Sequence, residues 1–356
     1  MGNFYLRNSP MKITVTIFTV HKKFPLQISR GTTSDTTNIW LKIAEDGIEG
    51  WGEASPFSVV KNQRITTEQL LQEITSAIPH LQDFHPLQRQ EIAGKLNQLS
   101  LSSGAKAAID IALHDWLGKK ADLPLWKLWG LDIKKIQPIS VTVGINTSEA
   151  AIKRIRDWQD TIAVKILKLK LGNPLGIAAD KAMVEAVKSV TPDIRLTVDA
   201  NGGWSLPDAI AMSKWLSNQG VEYIEQPLPV GEETKLATLT NHSPLPIFVD
   251  ESCFTSEDIP KLANSVAGVN LKIMKTGGLT ETIKAIHVAR ACGLKVMFGC
   301  YSDSSLANTA MAHLSPLADY LDLDSHLNLL DDPFRGAIVE DGRLLPNINS
   351  GLGVSV

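Results

Sequence analysis

The sequence predicts an α/β fold, a (β/α)7β modified TIM barrel that follows an N-terminal α+β capping domain. Three observations lead to this prediction. The first third of the chain places strand patterns before helix patterns, and the rest alternates apolar runs with helical patterns. Acidic residues close successive apolar runs at nearly even intervals. The 356 residues also exceed one compact core of ordinary size, which leaves room for two domains.

The capping domain is expected over residues 1–135. Residues 1–10 are expected to be a disordered extension, because Met11 could equally be an alternative start. A turn signal at Glu45-Asp46-Gly47 lies between two strand patterns and predicts a hairpin. The predicted strands are Lys12–Val20, Asn38–Ala44 and Ile48–Glu53, and the predicted helices are Thr67–Ile78, Gln88–Leu99 and Ala105–Lys119.

The barrel is expected over residues 136–330. Buried parallel strands read as continuous apolar runs, and eight such runs match the strand number of a β/α barrel. They are Ile139–Val143, Val164–Leu171, Arg195–Asp199, Glu222–Glu225, Ile247–Asp250, Val269–Ile273, Lys295–Phe298 and Tyr320–Asp324. The segment 331–356 is rich in turn residues and is expected to return to the capping domain.

Composition excludes several classes of partner. The formal charge of −3 gives no electrostatic reason to expect nucleic acid or an anionic membrane. No apolar run approaches the ~20 residues of a membrane span, and no secretory signal is visible. Three irregularly spaced cysteines are too few for a disulfide framework or a zinc site, so we expect a cytoplasmic protein.

Three carboxylates form a candidate metal site. Asp199, Glu225 and Asp250 each close an apolar run, at gaps of 225 − 199 = 26 and 250 − 225 = 25 residues. Each gap is about one strand-helix unit, so the three should meet at one rim of the barrel. Oxygen ligands favour Mg²⁺, with Mn²⁺ also possible, over Zn²⁺. The alternative is that these acids cap helices or pair with basic residues.

Two lysines flank the acid series and are candidate bases. Lys170 ends the preceding run and Lys272 ends the following one, although Lys275 competes with Lys272. Lys168 and Lys170 should point to the same side of a strand, where adjacent ammonium groups lower each other's pKa. The alternative is a solvated, lysine-rich strand end. A metal between two amines favours removal of a proton from the carbon next to a carboxylate.

Taken together, the motifs resemble the enolase superfamily, specifically its muconate-lactonizing-enzyme subgroup. The resemblance implies metal ligands at Asp199, Glu225 and Asp250 and bases at Lys170 and Lys272, with Lys168 contacting substrate. It also implies that capping-domain loops near residues 25–35 and 55–62 choose the substrate. Its motifs are Gly50-Trp51-Gly52-Glu53-Ala54, Lys-x-Lys, Asp-Ala-Asn, Glu-Gln-Pro, Asp-Glu-Ser, Lys-x-x-Lys-x-Gly-Gly and Asp332-Pro333-Phe334.

Within the subgroup, Asp322 and Asp324 resemble the Asp-x-Asp pair of dipeptide epimerases, which receives the α-ammonium of a dipeptide. Alternate residues of a strand face the same way, which agrees with this role. Arg30 resembles the arginine that meets a glutamate side chain, although Lys22, Lys23 and Arg64 are rivals. Asp303 lies where family members commonly have a glutamate. We expect this shorter acid to contact the substrate.

The resemblance therefore predicts a Mg²⁺-dependent isomerase that epimerises small dipeptides, similar to L-Ala-D/L-Glu epimerase. Two-base proton transfer through an enediolate would invert the α-carbon of the C-terminal residue. One alternative is o-succinylbenzoate synthase with N-succinylamino acid racemase activity, or muconate cycloisomerase. Another is a non-catalytic binding protein. The apolar content around Trp126 and Trp129 permits a homo-oligomer.

Overall fold

The computed structural model describes residues 10–60 and 63–356. Of the predicted disordered extension, residues 1–9 lie outside the described part, as do residues 61 and 62. In the capping domain the strands are β1 Lys12–Ile28, β2 Gly31–Glu45, β3 Ile48–Ala54, β4 Phe57–Val60 and β5 Gln63–Ile65. The helices are α1 Thr67–Leu81, α2 Arg89–Gln98, α3 Ser103–Lys120 and α4 Leu125–Leu128.

The first three strands form an antiparallel sheet in the order β1-β2-β3. The predicted turn after Glu45 is confirmed: Glu45 pairs with Ile48, and Asp46 and Gly47 have φ of 53° and 72°. The predicted end of β1 at Val20 is wrong, because the strand continues to Ile28. Its polar second half hides the strand pattern, and its register shifts between His21 and Leu26, around a proline that lacks an N–H.

Close packing of β3 on α3 explains two glycines of the Gly-Trp-Gly motif. A Cβ atom at Gly52 would lie 1.9 Å from the carbonyl oxygen of Ala108, and one at Gly50 would lie 2.1 Å from that of Ala112. Both distances are far below contact, so the strand can approach the helix only without side chains at these positions.

We therefore expect Gly52→Ala to destabilise the protein by about 1–3 kcal/mol, because the strand must move off the helix. Urea unfolding measures the change. Gly94→Ala in α2 is the matched control, since nothing lies within 4 Å of its Cβ position. There the helix should gain about 0.4–1 kcal/mol. Equal stabilities of the two variants would contradict this account of the packing.

The second part is a closed parallel barrel, which confirms the predicted fold class. Eight strands follow one another in chain order, and a parallel bridge between Ile139 and Leu321 joins the first to the last. The strands are β6 Ser140–Val143, β7 Ile166–Lys170, β8 Arg195–Asp199, β9 Val221–Glu225, β10 Ile247–Val249, β11 Gly268–Lys272, β12 Lys295–Gly299 and β13 Tyr320–Leu321.

Each of the seven connections between barrel strands contains a helix. These are α5 Ser148–Gln159, α6 Ile177–Val190, α7 Leu206–Asn218, α8 Leu236–His242, α9 Ile259–Leu262, α10 Ile273–Thr276, α11 Leu279–Ala291 and α12 Ser305–Leu314. Short 3₁₀ helices lie at Ile133–Lys135, Glu233–Lys235, Ser315–Leu317 and Ser325–Asn328. None of the described helices has the length and apolar composition that crossing a membrane requires.

The last residues contact both parts of the chain. A hairpin of β14 Ile338–Glu340 and β15 Arg343–Leu345 follows the barrel. Farther on, the carbonyl oxygen of Gly351 accepts from Leu125 N at 3.1 Å, and Leu352 N donates to Asp115 at 2.7 Å. The end of the tail therefore lies against α3 and α4.

Candidate active site

The five residues singled out for catalysis lie at the carboxyl ends of consecutive barrel strands. Lys170, Asp199, Glu225 and Lys272 are the last residues of β7, β8, β9 and β11, and Asp250 directly follows β10. Lys170 is in register with Asp199, and Asp199 with Glu225. Since parallel strands end at the same rim, the fold brings all five side chains to one mouth of the barrel.

The two lysines stand on opposite sides of this mouth. β7 and β11 are second and sixth among the eight strands counted from β6, so four strand positions separate them either way around. Lys170 Nζ lies 2.6 Å from Asp199 Oδ2, and Lys272 Nζ lies 2.7 Å from Asp250 Oδ2. Each amine is therefore placed beside one of the three acids.

Lys275, the rival of Lys272, is enclosed behind Asp250. Its Nζ lies 2.6 Å from Asp250 Oδ1 and also donates to the carbonyl oxygens of Cys253 and Asn270 at 2.8 and 2.9 Å. Its side chain is 0% exposed, so it cannot reach a substrate. Burial raises the pKa of Asp250, but the charges of Lys272 and Lys275 outweigh burial and hold this pKa below its usual range.

Lys168 spans the interior of the barrel beneath the mouth. Its Nζ lies 2.6 Å from Asp322 Oδ2, 2.7 Å from Glu225 Oε2 and 3.5 Å from Asp199 Oδ2. Burial lowers the pKa of Lys168, but these three carboxylates outweigh burial and raise it above the ordinary value. The expectation that the neighbouring lysine lowers its pKa is wrong, because carboxylates rather than a second ammonium surround it.

The acid trio offers the type of ligand atom that a hard divalent cation prefers. All three carboxylates are fully buried, and burial together with the charge of Asp199 raises the pKa of Glu225 to about 7. Glu225 Oε1 accepts from Asn270 Nδ2 at 2.8 Å, and its Oε2 lies 2.7 Å from Lys168 Nζ. The ammonium groups of Lys170 and Lys272 lie beside the carboxylates of Asp199 and Asp250. The donor set consists of oxygen atoms only, which suits Mg²⁺.

A second acidic group lies at the surface of the capping domain. Among the described residues, Glu45, Asp46 and His85 are the group whose ligand atoms all lie within 4.8 Å of one another. Asp46 Oδ2 already lies 2.9 Å from Lys120 Nζ and 3.4 Å from His85 Nε2. These contacts describe an ion-pair cluster at the hairpin turn, far along the chain from the barrel acids.

Asp322 and Asp324 lie at the mouth but not in a strand. β13 ends at Leu321, so the expected alternation along a strand is not what orients them. Asp322 instead accepts from Ser140 Oγ at 2.8 Å, and Asp324 accepts from Thr142 N at 2.7 Å. Burial and the charge of Asp322 raise the pKa of Asp324 to about 6. β6 therefore holds both acids.

Arg30 is bound within the protein. Its Nη2 lies 2.6 Å from Glu251 Oε1, and its Nη1 donates to the carbonyl oxygen of Asn201 at 3.0 Å. The side chain of Asn201 in turn donates to Asp199 and Glu251 at 3.1 and 3.2 Å. The guanidinium therefore joins the capping domain to the surroundings of the acid trio.

Asp303 faces the capping domain. It accepts a short hydrogen bond from Ser55 Oγ and a second from Tyr301 N at 3.1 Å. The neighbouring Glu53, also buried, accepts from Ser304 N at 2.9 Å. Burial and the charge of Asp303 raise the pKa of Glu53 to about 8. These contacts connect β3 to the start of α12.

Two adjoining cavities open at the barrel mouth. One, of about 260 Å³, is lined by Asp322 and Asp324, and the other, of about 280 Å³, by Lys272 and Arg30. Lys170 lines both. Lys22, Arg64 and residues within 24–36 and 56–58 supply the capping-domain wall. We expected residues 25–35 to form a loop. They instead form the paired ends of β1 and β2.

Several site residues were not identified from the sequence. Glu251 belongs to the Asp-Glu-Ser motif and Asn201 to the Asp-Ala-Asn motif, one and two positions after Asp250 and Asp199. Asn270 precedes Lys272 by two positions in β11, which places both on one side of the strand. That spacing was the available signal. Lys22, named from the sequence only as a rival of Arg30, is 8% exposed, lines both cavities and donates to Ser302 Oγ at 2.8 Å.

Comparisons with known proteins agree with this geometry. A hydrophobic dipeptide epimerase from Flavobacteria bacterium strain MS024-2A is 43% identical over 343 residues, 94% of this chain and 95% of the relative. An L-Ala-D/L-Glu epimerase from Bacteroides thetaiotaomicron is 34% identical over 355 residues, 99% and 90% of the two chains. These relatives confirm the predicted similarity to racemases and epimerases.

A crystal structure of the dipeptide epimerase from Enterococcus faecalis V583, complexed with Mg and the dipeptide L-Leu-L-Tyr, superposes with a TM-score of 0.90. It is 29% identical, and the match covers 98% of this chain and 100% of that one. The family models described as mandelate racemase / muconate lactonizing enzyme, N-terminal domain, and enolase C-terminal domain-like match residues 12–130 and 150–356. The chain therefore belongs to the mandelate racemase / muconate lactonizing enzyme family of the enolase superfamily.

Proposed function

We propose that this protein is a Mg²⁺-dependent dipeptide epimerase that inverts the α-carbon of the C-terminal residue. The observation that carries the proposal is the placement of Lys170 and Lys272 on opposite sides of one cavity, with three buried carboxylates on the strands between them. The dipeptide epimerases among the relatives support the choice of substrate.

Asp199, Glu225 and Asp250 would hold the ion. When bound, Mg²⁺ supplies positive charge that stabilises the negative charge developing on the substrate carboxylate as the α-proton leaves. Mn²⁺ could replace it, because it also accepts oxygen ligands.

Lys170 and Lys272 divide the proton transfer. One amine takes the α-proton from one face of the carbon, and the ammonium on the other side returns a proton to the opposite face. Lys168 is enclosed by carboxylates, so we assign it to holding Glu225 and Asp322 in place. Arg30, which pairs with Glu251, and Asp303, which accepts from Ser55 and Tyr301, are assigned to positioning the capping domain.

Asp322 and Asp324 would receive the dipeptide's α-ammonium. They follow β13, which is eighth in the barrel order, and Glu225 ends β9, which is fourth, so the two acids face the acid trio across the mouth. A zwitterion with its carboxylate at the metal would therefore present its ammonium to them.

Asp324→Asn should raise KM for an unblocked dipeptide, because a charge-assisted hydrogen bond worth about 1.5–3 kcal/mol is weakened. That corresponds to a loss of roughly 10- to 150-fold in kcat/KM. Steady-state kinetics measure it. Asp319→Asn is the control, since Asp319 pairs with Arg290 at 2.6 Å before β13 and away from the mouth. Unchanged KM in Asp324→Asn would favour a lyase or cycloisomerase whose substrate has no ammonium.

The proposed activity is tested by incubating the Mg²⁺-loaded protein in D₂O with a panel of L,L-dipeptides. An epimerase should add one mass unit at the C-terminal α-carbon and form the L,D-epimer, which chromatography separates. Neither deuterium uptake nor epimer formation with any member would contradict the proposal and favour a non-catalytic binding protein.

We further assign the enzyme to the cytoplasm, supported by its three cysteines, which form no disulfide among the described residues. A homo-oligomer remains part of the proposal. The apolar content around Trp126 was one reason to expect it. Trp126 Nε1 donates to the carbonyl oxygen of Asn347 in the tail at 3.3 Å.

A further inference from the structure

The cavity that contains Asp322 and Asp324 also contains a guanidinium that the proposed proton transfer does not use. Arg154, on α5, lies between two aromatic rings. Its Cζ is 3.8 Å from the ring centre of Phe24 and 4.1 Å from that of Trp158. One ring comes from the capping domain and the other from the barrel, so the cation is held where the two parts meet.

Asn328 fixes the same guanidinium at its edge. Asn328 Oδ1 accepts from Arg154 Nη2 at 3.1 Å and from Phe24 N at 3.1 Å, while its Nδ2 donates to Phe24 O at 2.8 Å. The side chain of Asn328 therefore fixes both the arginine and one of the rings that cover it. A cation fixed in this way loses little freedom when a ligand binds.

No acidic residue neutralises this cation by direct contact. Within residues 10–60 and 63–356, Arg154 forms no ion pair, and its hydrogen-bond partner is a neutral amide. The nearby Asp157 is engaged by Lys153 at 3.1 Å. Burial lowers the pKa of Arg154 to about 10, although Asp324 and Asp157 oppose this from a distance. Lys22, in the same cavity, likewise donates to a neutral partner, Ser302.

We propose that Arg154 binds a carboxylate on the side chain of the substrate's N-terminal residue, so that the enzyme prefers dipeptides that begin with glutamate or aspartate. This inference rests on the proposed dipeptide epimerase activity. The α-ammonium at Asp322 and Asp324 and the side-chain carboxylate at Arg154 would share one cavity, as an acidic residue with both charges requires. A guanidinium suits this contact because it can donate two parallel hydrogen bonds to a carboxylate.

The test compares L-Glu-L-Leu with L-Gln-L-Leu, which have nearly the same shape and differ in one charge. With L-Ala-L-Leu and L-Lys-L-Leu in the same panel, the C-terminal residue stays constant. We expect kcat/KM for deuterium uptake to be at least about tenfold higher for L-Glu-L-Leu than for L-Gln-L-Leu, and lowest for L-Lys-L-Leu. Arg154→Met, which keeps an apolar stem between the rings, should bring the glutamate-to-glutamine ratio close to one.

Arg156→Met is the matched control, because Arg156 is exposed on the same helix and outside the cavity. It should keep the wild-type ratio. Equal kcat/KM for the glutamate and glutamine dipeptides in the wild-type enzyme, or an unchanged ratio in Arg154→Met, would overturn the inference while the epimerase activity stands. Absence of exchange with every dipeptide, including L-Ala-L-Leu, would instead overturn the proposed function and this inference with it.

Discussion

Replacing Lys272 with alanine should abolish epimerisation while one half of the proton chemistry survives. In the proposed mechanism Lys272 is the amine on one face of the α-carbon, so its loss should reduce inversion by roughly 10²–10⁴-fold, the usual contribution of a general acid–base group. Lys170 remains on the other face and should still exchange the α-proton of one epimer. Chiral chromatography and mass gain in D₂O measure the two processes separately.

Lys284→Ala is the control for the loss of a lysine, because Lys284 lies on the surface of α11, 3.5 Å from Glu281. It should behave as wild type. Retained inversion in Lys272→Ala would remove Lys272 from the mechanism. Exchange that disappears for both epimers would show that a single base serves both faces.

Removing the metal should have an effect of similar size. Chelator-treated protein should show no deuterium uptake, because no cation then stabilises the negative charge that forms on the substrate carboxylate. Added Mg²⁺ should restore the activity. Since Mg²⁺ would bind only the folded site, a concentration of 100 times its Kd should stabilise the fold by about 2.7 kcal/mol. Thermal unfolding during a Mg²⁺ titration measures this gain.

Glu225→Gln should lose both the activity and most of the Mg²⁺-dependent stabilisation. Glu222→Gln is its matched control, since Glu222 lies in the same strand but pairs with Arg195 at 2.5 Å on the outside of the barrel. Stabilisation that persists in Glu225→Gln and vanishes in a variant of Asp46 would move the metal to the surface cluster of Glu45, Asp46 and His85.

The barrel was predictable from the sequence because its strands are buried on both faces and read as apolar runs. β8 begins at Arg195 and ends at Asp199 as predicted. The last strand was harder, because Asp322 and Asp324 take their positions from contacts with β6, which is about 180 residues away in the chain. Side-chain spacing within one strand contains no information about such contacts.

The acids and lysines of the site were predictable because each ends a strand and all strands end at one rim. Their partners were less so. Lys275 appears in the sequence as a loop lysine, yet the fold encloses it against Asp250. Arg30 appears available to a substrate, yet Glu251 binds it. In both cases the partner is an acid that follows β10, and only the folded chain brings the two charges together.

A crystal structure with Mg²⁺ and a bound dipeptide tests the central claim most directly. We expect one ion with oxygen atoms of Asp199, Glu225 and Asp250 at about 2.0–2.1 Å, and the α-carbon between the amines of Lys170 and Lys272. An ion bound elsewhere, or both amines on the same face of that carbon, would contradict the proposed epimerisation.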